Sequence, residues 1–439
     1  SSDVCSSDLL FYSLQDVVQL SQFARESGQR DINLDKLRQM QQYAEEAVLE
    51  RLSDLQKDFQ KDLRYKKNRP FSNDVDAATR ERVMKNARKW SGRYRALKED
   101  GMTEEEILKS FKEPVPMRVF AYNSKGYCDT TITPDDSIRY YKSLLRTAIV
   151  AMEPVTGHVK AYVGGPNYRY FKYDNVRQGK RQVGSTIKPY LYTLAMQEGM
   201  TPCDMVINLP QTISIPGGTW SPRSGDSQQW IGKSVSLKWG LTNSSNNISA
   251  YLMKQLGPTA MVRMMRKMGI QTHVEAVPAL CVGAADLSLW EMVAAYNTFP
   301  SHGVYITPLC VTRIEDNQGN VLTEFTNRKR DAISENTAYE MVDMMMSVVQ
   351  AGTGSRLRYR YNLMGELAGK TGTTNDNADG WFIGYTPTLV AGVWTGAEDR
   401  QVHFQSTALG QGAHIQACGR IEDRDRAGRR IDGNPVKAR

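Results

Sequence analysis

The chain is organised around six residues, Gly184-Ser185-Thr186-Ile187-Lys188-Pro189. A serine followed three residues later by a lysine, where a helix is predicted to begin, is a candidate acyl-transfer nucleophile with its own base. Residues three apart lie on the same face of a helix, so the amine of Lys188 can reach the hydroxyl of Ser185. Free backbone N–H groups at the helix start can stabilise negative charge beside Ser185. Because Ser-x-x-Lys also occurs by chance, the motif alone indicates no more than a capped surface helix.

Two further motifs follow along the chain and change that interpretation. Ser244 and Asn246 place a hydroxyl and an amide two residues apart, and the run Lys370-Thr371-Gly372-Thr373 precedes an apolar, alternating segment. The combination of Ser-x-x-Lys, Ser-x-Asn and Lys-Thr-Gly in this order is the motif set of penicillin-binding proteins and serine β-lactamases. We therefore predict that the three motifs meet in one site.

The composition is that of an ordinary globular protein. The 439 residues are 40% hydrophobic and 24% charged, which is enough chain for two or three domains. No run of about 18 apolar residues that could span a membrane occurs. The net charge of +8 is spread along the chain without a recognised binding motif, so we predict no nucleic-acid partner. The six cysteines and five histidines lack ligand-like spacing, so no metal and no cofactor is predicted.

Hydrophobic periodicity predicts the fold. Residues 147–165 read as a hairpin whose first strand is a continuous apolar run. Residues 365–373, 380–385 and 389–396 alternate with period two and predict three more strands, whereas residues 201–350 are mostly helical in pattern. The expected class is α/β (α+β): an antiparallel sheet assembled from both ends of the domain and flanked by helices, with an inserted all-helical lobe. A cleft between sheet and lobe is the expected binding site.

The residues around the motifs resemble the transpeptidase part of class A, bifunctional penicillin-binding proteins. The resemblance implies the penicillin-binding transpeptidase fold, and it runs from residue 146 to residue 415. It is carried by Glu153-Pro154-Val155-Thr156-Gly157, the run Arg181 to Pro189, Asn243 to Asn246, Ala368 to Thr374, Gly380 to Pro387 and Gly392 to Gly396. Members of this class begin with a membrane helix and a glycosyltransferase domain, so we expect a fragment that lacks both. The family also implies the cell envelope, at the extracytoplasmic face of the bacterial inner membrane.

With this resemblance we divide the chain into four regions. Residues 1–28 are expected to be a disordered N-terminal remnant, and residues 29–145 a long amphipathic helix followed by an accessory linker or insertion. Residues 146–415 would form the penicillin-binding transpeptidase domain. Residues 416–439 are rich in Arg and Asp and have no aromatic residue, so we expect a disordered tail.

The resemblance implies a catalytic role for each polar motif residue. Ser185 would be the nucleophile and Lys188 its base, which must be neutral to accept a proton. We expect Lys370 to supply a second positive charge that lowers the pKa of Lys188. Ser244 would relay a proton between Lys188 and the leaving amine, and Asn246 would hold the substrate amide.

The third motif would bind the substrate. Thr371 and Thr373 would hold its terminal carboxylate through their hydroxyls, and Gly372 would let the strand approach it closely. The backbone N–H groups of Ser185 and Thr373 would form the oxyanion hole. The implied partners are peptidoglycan stem peptides ending in D-Ala-D-Ala, as donor and acceptor, and β-lactams, which would inhibit covalently.

Two other functions remain open from the sequence. A D,D-carboxypeptidase or a serine β-lactamase would use the same serine and lysines, with water in place of the acceptor amine. A non-catalytic β-lactam sensor or scaffolding domain would be acylated without cross-linking a donor peptide to an amine. The class A resemblance outside the motifs favours the transpeptidase.

Overall fold

The computed structural model describes residues 32–404, apart from residues 224, 317 and 375. The expected N-terminal remnant (1–28), the expected tail (416–439) and the last residues of the expected catalytic domain lie outside the described residues. No helix in the described part is both long and apolar enough to cross a membrane.

A five-stranded antiparallel sheet forms the centre of the fold. In spatial order its strands are β15 (Ala368–Thr373), β16 (Asp379–Tyr385), β17 (Val390–Ala397), β3 (Leu145–Met152) and β4 (Val159–Val163). The predicted hairpin thus pairs with three strands from the far end of the domain, through the contact of β17 with β3. This confirms the sheet that the sequence predicts. The Lys-Thr-Gly motif lies on β15, which is an edge strand.

Helices cover both faces of the sheet. Alternate residues of β3 enter two different core clusters, because successive side chains of a strand point to opposite faces. Ile149 and Ala151 pack with α1 (Ile32–Arg64), the long amphipathic helix that the sequence predicts ahead of the catalytic domain. Ala148, Val150 and Met152 pack on the other face against α6 (Lys188–Gln197), α10 (Leu289–Tyr296) and α11 (Glu335–Gln350).

Shorter elements complete the described chain. The other helices are α2 (Ala77–Trp90), α3 (Gly92–Glu99), α4 (Glu104–Ser110), α5 (Pro134–Lys142), α7 (Leu237–Thr242), α8 (Asn246–Leu256), α9 (Pro258–Lys267) and α12 (Arg356–Tyr359). A separate hairpin precedes the central sheet and consists of β1 (Val115–Phe120) and β2 (Tyr127–Ile132).

The predicted all-helical lobe needs a correction, because its helices are interspersed with short antiparallel strand pairs. These are β5 (Lys180–Gln182) with β10 (Asp286–Ser288), β6 (Met205–Ile207) with β9 (Ser234–Ser236), β7 (Ile213–Ile215) with β8 (Gly218–Trp220), β11 (Val304–Ile306) with β14 (Lys329–Asp331), and β12 (Arg313–Glu315) with β13 (Val321–Glu324). Strands of this length are too short for a period-two pattern to stand out in a sequence.

Candidate active site

Ser185 lies on a short 3-10 turn, Gly184–Ile187, that leads directly into α6. The prediction of a helix at the first motif is confirmed, with Ser185 preceding the first α-helical residue, Lys188. Pro189 follows within the first turn of the helix, where its missing N–H costs no hydrogen bond. Ser185 itself is partly exposed.

Two glycines let β15 pack directly on this turn. Gly184 has a φ of +52°, and a Cβ there would lie 2.8 Å from the carbonyl oxygen of Thr373. A Cβ on Gly372 would lie 2.7 Å from the carbonyl oxygen of Val183. The close approach that Gly372 permits is therefore to the nucleophile's own turn, whereas the sequence analysis assigned it to the substrate. In consequence Ser185 and Thr373, whose N–H groups are the predicted oxyanion donors, belong to two segments that pack directly against each other.

Lys188 is fully buried and its amine faces the second motif. Its Nζ lies 2.5 Å from the carbonyl oxygen of Ser244, 3.2 Å from Ser244 Oγ and 2.8 Å from Asn246 Oδ1. We expected this amine to meet the Ser185 hydroxyl, but its hydrogen bonds within the described residues go to the second motif. Burial lowers the pKa of Lys188 to about 8, against smaller opposing effects of Cys281 and Asp226.

Lys370 is the second buried amine of the site. Its Nζ lies 3.0 Å from Ser244 Oγ and 3.1 Å from the carbonyl oxygen of Thr371. Burial, and secondarily the positive charge of Lys188, lower the pKa of Lys370 well below its ordinary value. The sequence predicts the charge of Lys370 as the cause of the lowered pKa of Lys188. The structure instead makes burial the main cause for both lysines.

Ser244 joins the two lysines. Its hydroxyl is within hydrogen-bonding distance of both Lys188 Nζ and Lys370 Nζ. Its backbone has a φ of +56°, a left-handed conformation that is uncommon for a residue with a Cβ and is often found at functional sites. Because a hydroxyl both donates and accepts, Ser244 can pass a proton between the two amines when one of them is neutral.

Asn246 begins α8 and has both ends of its amide engaged. Its Oδ1 accepts from Lys188, and its Nδ2 donates to the carbonyl oxygen of Arg223 at 2.9 Å. The neighbouring Ser245 hydroxyl donates to Asp226 Oδ2 at 2.5 Å. The second motif therefore anchors the loop that contains Arg223 and Asp226. The second N–H of Nδ2 and the second lone pair of Oδ1 are left for the substrate contact that the sequence predicts.

The two threonines of the third motif lie on one face of β15, since they are two residues apart. Thr371 is largely buried, and its Oγ1 lies 2.7 Å from Oγ1 of Thr353, whereas Thr373 is partly exposed. Within the described ranges no cluster of three or more His, Cys, Asp or Glu side chains is arranged to hold a metal ion.

A buried ion pair that the sequence analysis missed joins the nucleophile segment to the sheet. Arg181 Nε lies 2.6 Å from Oδ1 of Asp379, and Trp394 Nε1 donates to the same oxygen at 2.9 Å. The next residue, Gln182, accepts a hydrogen bond from Trp381 Nε1 at 2.8 Å. Two successive residues before the nucleophile turn are thus tied to β16 and β17. An aspartate at the start of an otherwise apolar strand was the available signal, because buried charges are paired.

We expect the Asp379→Leu variant to lose about 3–5 kcal/mol of unfolding free energy, because Arg181, whose side chain is only 12% exposed, would be left without its charged partner. The double variant Arg181→Met, Asp379→Leu should recover most of that loss, since an apolar pair of similar volume replaces a buried ion pair at little cost. Urea titration of both variants gives the comparison. A double variant as unstable as the single one would contradict the role assigned to the unpaired charge.

Two protein-family models match this chain. Residues 147–399 match the family model of the penicillin binding protein transpeptidase domain, and residues 66–145 match the penicillin-binding protein middle domain. Penicillin-binding protein 2D of Bacillus subtilis is 34% identical over 261 residues, which cover 57% of this chain and 37% of that protein. Penicillin-binding protein 1A of Aquifex aeolicus is 30% identical over 254 residues, covering 57% of this chain and 34% of that protein. The chain thus aligns with little more than a third of the length of these relatives.

Solved structures show the same fold. Penicillin-binding protein 1A of Haemophilus influenzae superposes with a TM-score of 0.65 at 20% identity, covering 91% of this chain and 66% of that one. The PonA1 protein of Mycobacterium tuberculosis in complex with penicillin V gives a TM-score of 0.55 at 20% identity, covering 81% of this chain and 94% of that one. The family match spans more than half of the described fold and contains all three motifs. The chain therefore belongs to the penicillin-binding proteins and carries their transpeptidase domain.

Proposed function

We propose that this domain is a peptidoglycan D,D-transpeptidase. Ser185 Oγ attacks the carbonyl carbon between the two D-alanines of a donor stem peptide, and the terminal D-alanine leaves as a free amine. An amine of a neighbouring stem peptide then attacks the acyl-serine ester and forms the cross-link. The observation that carries the proposal is a partly exposed serine together with two buried amines that share the Ser244 hydroxyl.

Burial of Lys188 supports its role as the base. With a pKa of about 8, roughly a tenth of the molecules carry a neutral Lys188 at pH 7. At the ordinary lysine pKa of 10.5 the neutral fraction would be about 300-fold smaller. The neutral amine takes the proton of Ser185 as the Oγ–carbon bond forms, and tightening of the site around a ligand brings the two groups together.

The same contacts give the proton a route to the leaving group. As the peptide bond breaks, the departing nitrogen needs the proton that Lys188 has received. Ser244 donates its own proton to that nitrogen and takes one from Lys188, and Lys370 holds the Ser244 hydroxyl in place from the other side. In the second half-reaction the acceptor amine loses its proton along the same route in reverse.

Charge on the substrate is stabilised at two places. The adjoining backbone N–H groups of Ser185 and Thr373 would hold the oxyanion, and one such donor contributes roughly 3–4 kcal/mol to lowering the barrier. Thr371 and Thr373 would bind the terminal carboxylate. An anion close to Lys370 favours the charged form of its amine.

The proposed substrate determines the cellular location that we propose for the domain. Peptidoglycan stem peptides lie outside the cytoplasm, so we assign the domain to the extracytoplasmic face of the bacterial inner membrane. We further propose that the full-length protein carries a membrane anchor and a glycosyltransferase domain, in agreement with the greater length of its class A relatives.

An assay with donor and acceptor peptides tests the function. We expect a donor ending in D-Ala-D-Ala to be joined to an added amine faster than it is hydrolysed, and we expect a penicillin adduct that persists for hours. Hydrolysed peptide alone would indicate a D,D-carboxypeptidase, and rapid turnover of penicillin would indicate a β-lactamase. A stable penicillin adduct with no peptide product would indicate a sensor domain.

A further inference from the structure

One exposed hydroxyl outside the three motifs contacts the third motif directly. Thr353, which follows α11, has its Oγ1 2.7 Å from Oγ1 of Thr371, and either atom can be the donor. Thr353 is exposed, whereas Thr371 is largely buried. Thr353 therefore stands on the solvent side of a residue proposed to bind the substrate carboxylate.

The backbone holds Thr353 between the second and third motifs. Its N–H donates to the carbonyl oxygen of Thr242, the last residue of α7 and two residues before Ser244. A Cβ on the preceding Gly352 would lie 2.2 Å from that same carbonyl oxygen, so only glycine permits this approach. Gly354 on the other side donates to the carbonyl oxygen of Val348 at 3.0 Å. The position of Thr353 is thus fixed on both sides.

The hydroxyl pair has a consequence for anion binding. A threonine hydroxyl carries one proton and two lone pairs, whereas a carboxylate only accepts. Thr371 can donate to a carboxylate only if its proton points away from Thr353. The hydrogen between the two threonines then comes from Thr353, and each bond in such a chain strengthens the next.

We propose that Thr353 is a positioning residue that orients and polarises the hydroxyl of Thr371 for a ligand carboxylate. The role rests on the proposed function of the site and deepens it. It means that the site recognises a free carboxylate on the ligand through Thr371, whose hydroxyl is oriented by that of Thr353. Thr353 contributes little to a ligand in which that carboxylate is masked.

Two substitutions at this exposed position separate the hydroxyl from the side-chain shape. Thr353→Val removes the hydroxyl and keeps the branched volume, and Thr353→Ser keeps the hydroxyl as a matched control. Acylation rates at limiting concentration would be measured with a penicillin and with its methyl ester. We expect Thr353→Val to slow acylation by the free acid about five- to tenfold, and acylation by the ester less than twofold. Thr353→Ser should stay within about twofold of the wild type for both ligands.

Comparing the penicillin with its methyl ester also shows which part of the proposed role of Thr353 is wrong if the expected result is not found. If Thr353→Val slows both ligands equally, Thr353 supports the general shape of the site and the positioning role is overturned. If Thr353→Val leaves the free acid unaffected, the role is overturned while the proposed function stands. If the wild type itself does not prefer the acid to the ester, the carboxylate contact of the third motif fails as well. Melting temperatures of the variants show whether either substitution disturbs the fold.

A second variant checks that Thr353 acts through Thr371. In the background of Thr371→Val, the further change Thr353→Val should have no additional effect on acylation by the free acid, since its only route to the carboxylate is gone. Additive losses in the double variant would show that the two hydroxyls act separately, and would overturn the proposed chain.

Discussion

Replacing Ser185 with alanine is expected to abolish covalent labelling of the protein by a tagged penicillin. Acylation needs an oxygen nucleophile at this position, and the substitution removes that atom alone. The fold should persist, because Ser185 is partly exposed and the backbone of its turn is held by the packing of Gly184 and Gly372 against their neighbours. Labelling would be followed by in-gel fluorescence over a time course, and folding by thermal melting.

An exposed serine outside the three motifs provides the control. Ser227 is exposed and makes no capping hydrogen bond to the short turn that follows it. Ser227→Ala should therefore be labelled at the wild-type rate. Labelling that survives in Ser185→Ala, with the adduct mapped to Ser244 or Ser245, would assign the nucleophile to the second motif and overturn the mechanism proposed above.

The central sheet could be predicted because its strands are long and buried. β3 is buried along its whole length and reads as a continuous apolar run, and β17 and β16 have the matching pattern far along the chain. The short pairs such as β5 with β10 could not be predicted, since three residues carry no period. Their pairing depends on where the longer elements place them.

The members of the candidate site could be predicted, but their contacts could not. Motif order identified Ser185, Lys188 and Ser244 as one group. Spacing along a single helix suggested that Lys188 Nζ meets Ser185, whereas the packing of α7 and α8 on α6 gives that amine the carbonyl oxygen of Ser244 instead. Such tertiary contacts leave no local pattern in a sequence.

The cause of the lowered pKa of the two lysines could not be predicted from the sequence either, and the reason is physical. A pair of lysines is visible in a sequence, whereas the burial of each one is a property of the folded chain. Both Lys188 and Lys370 are 0% exposed, and burial is the largest effect on the pKa of each. Sequence reasoning therefore assigned to charge repulsion what the fold achieves mainly by excluding water.

Lys370→Met is expected to change one feature of the pH–rate profile of acylation and not another. The plateau at high pH should fall by about 100-fold or more, whereas the acidic limb, over which the rate rises with pH, should stay at the same pH. The plateau falls because the amine that holds the Ser244 hydroxyl at 3.0 Å is lost, together with a group that would attract the substrate carboxylate. The limb stays because the rate rises as Lys188 loses its proton, with a midpoint at about pH 8 set mainly by burial. Methionine fills nearly the volume of lysine and keeps water out.

The direction of any shift separates the two explanations of the lowered pKa. Burial is the effect that lowers the pKa of Lys188, so removal of Lys370 is expected to relieve little repulsion where Lys188 titrates. Were Lys370 charged there, its removal would raise the pKa of Lys188 and move the acidic limb to higher pH. Lys370→Ala provides the comparison for burial. Its smaller side chain leaves room for water, which also favours the charged form of Lys188 and moves the limb upward.

The measurement is the rate of acylation by a penicillin between pH 6 and pH 10 for the wild type and both variants. We expect the limb of Lys370→Met to coincide with that of the wild type within a few tenths of a pH unit, and the limb of Lys370→Ala to lie at higher pH. An upward shift of one unit or more in Lys370→Met would show that Lys370 is charged as Lys188 titrates. Repulsion between the two lysines would then replace burial as the source of the neutral base.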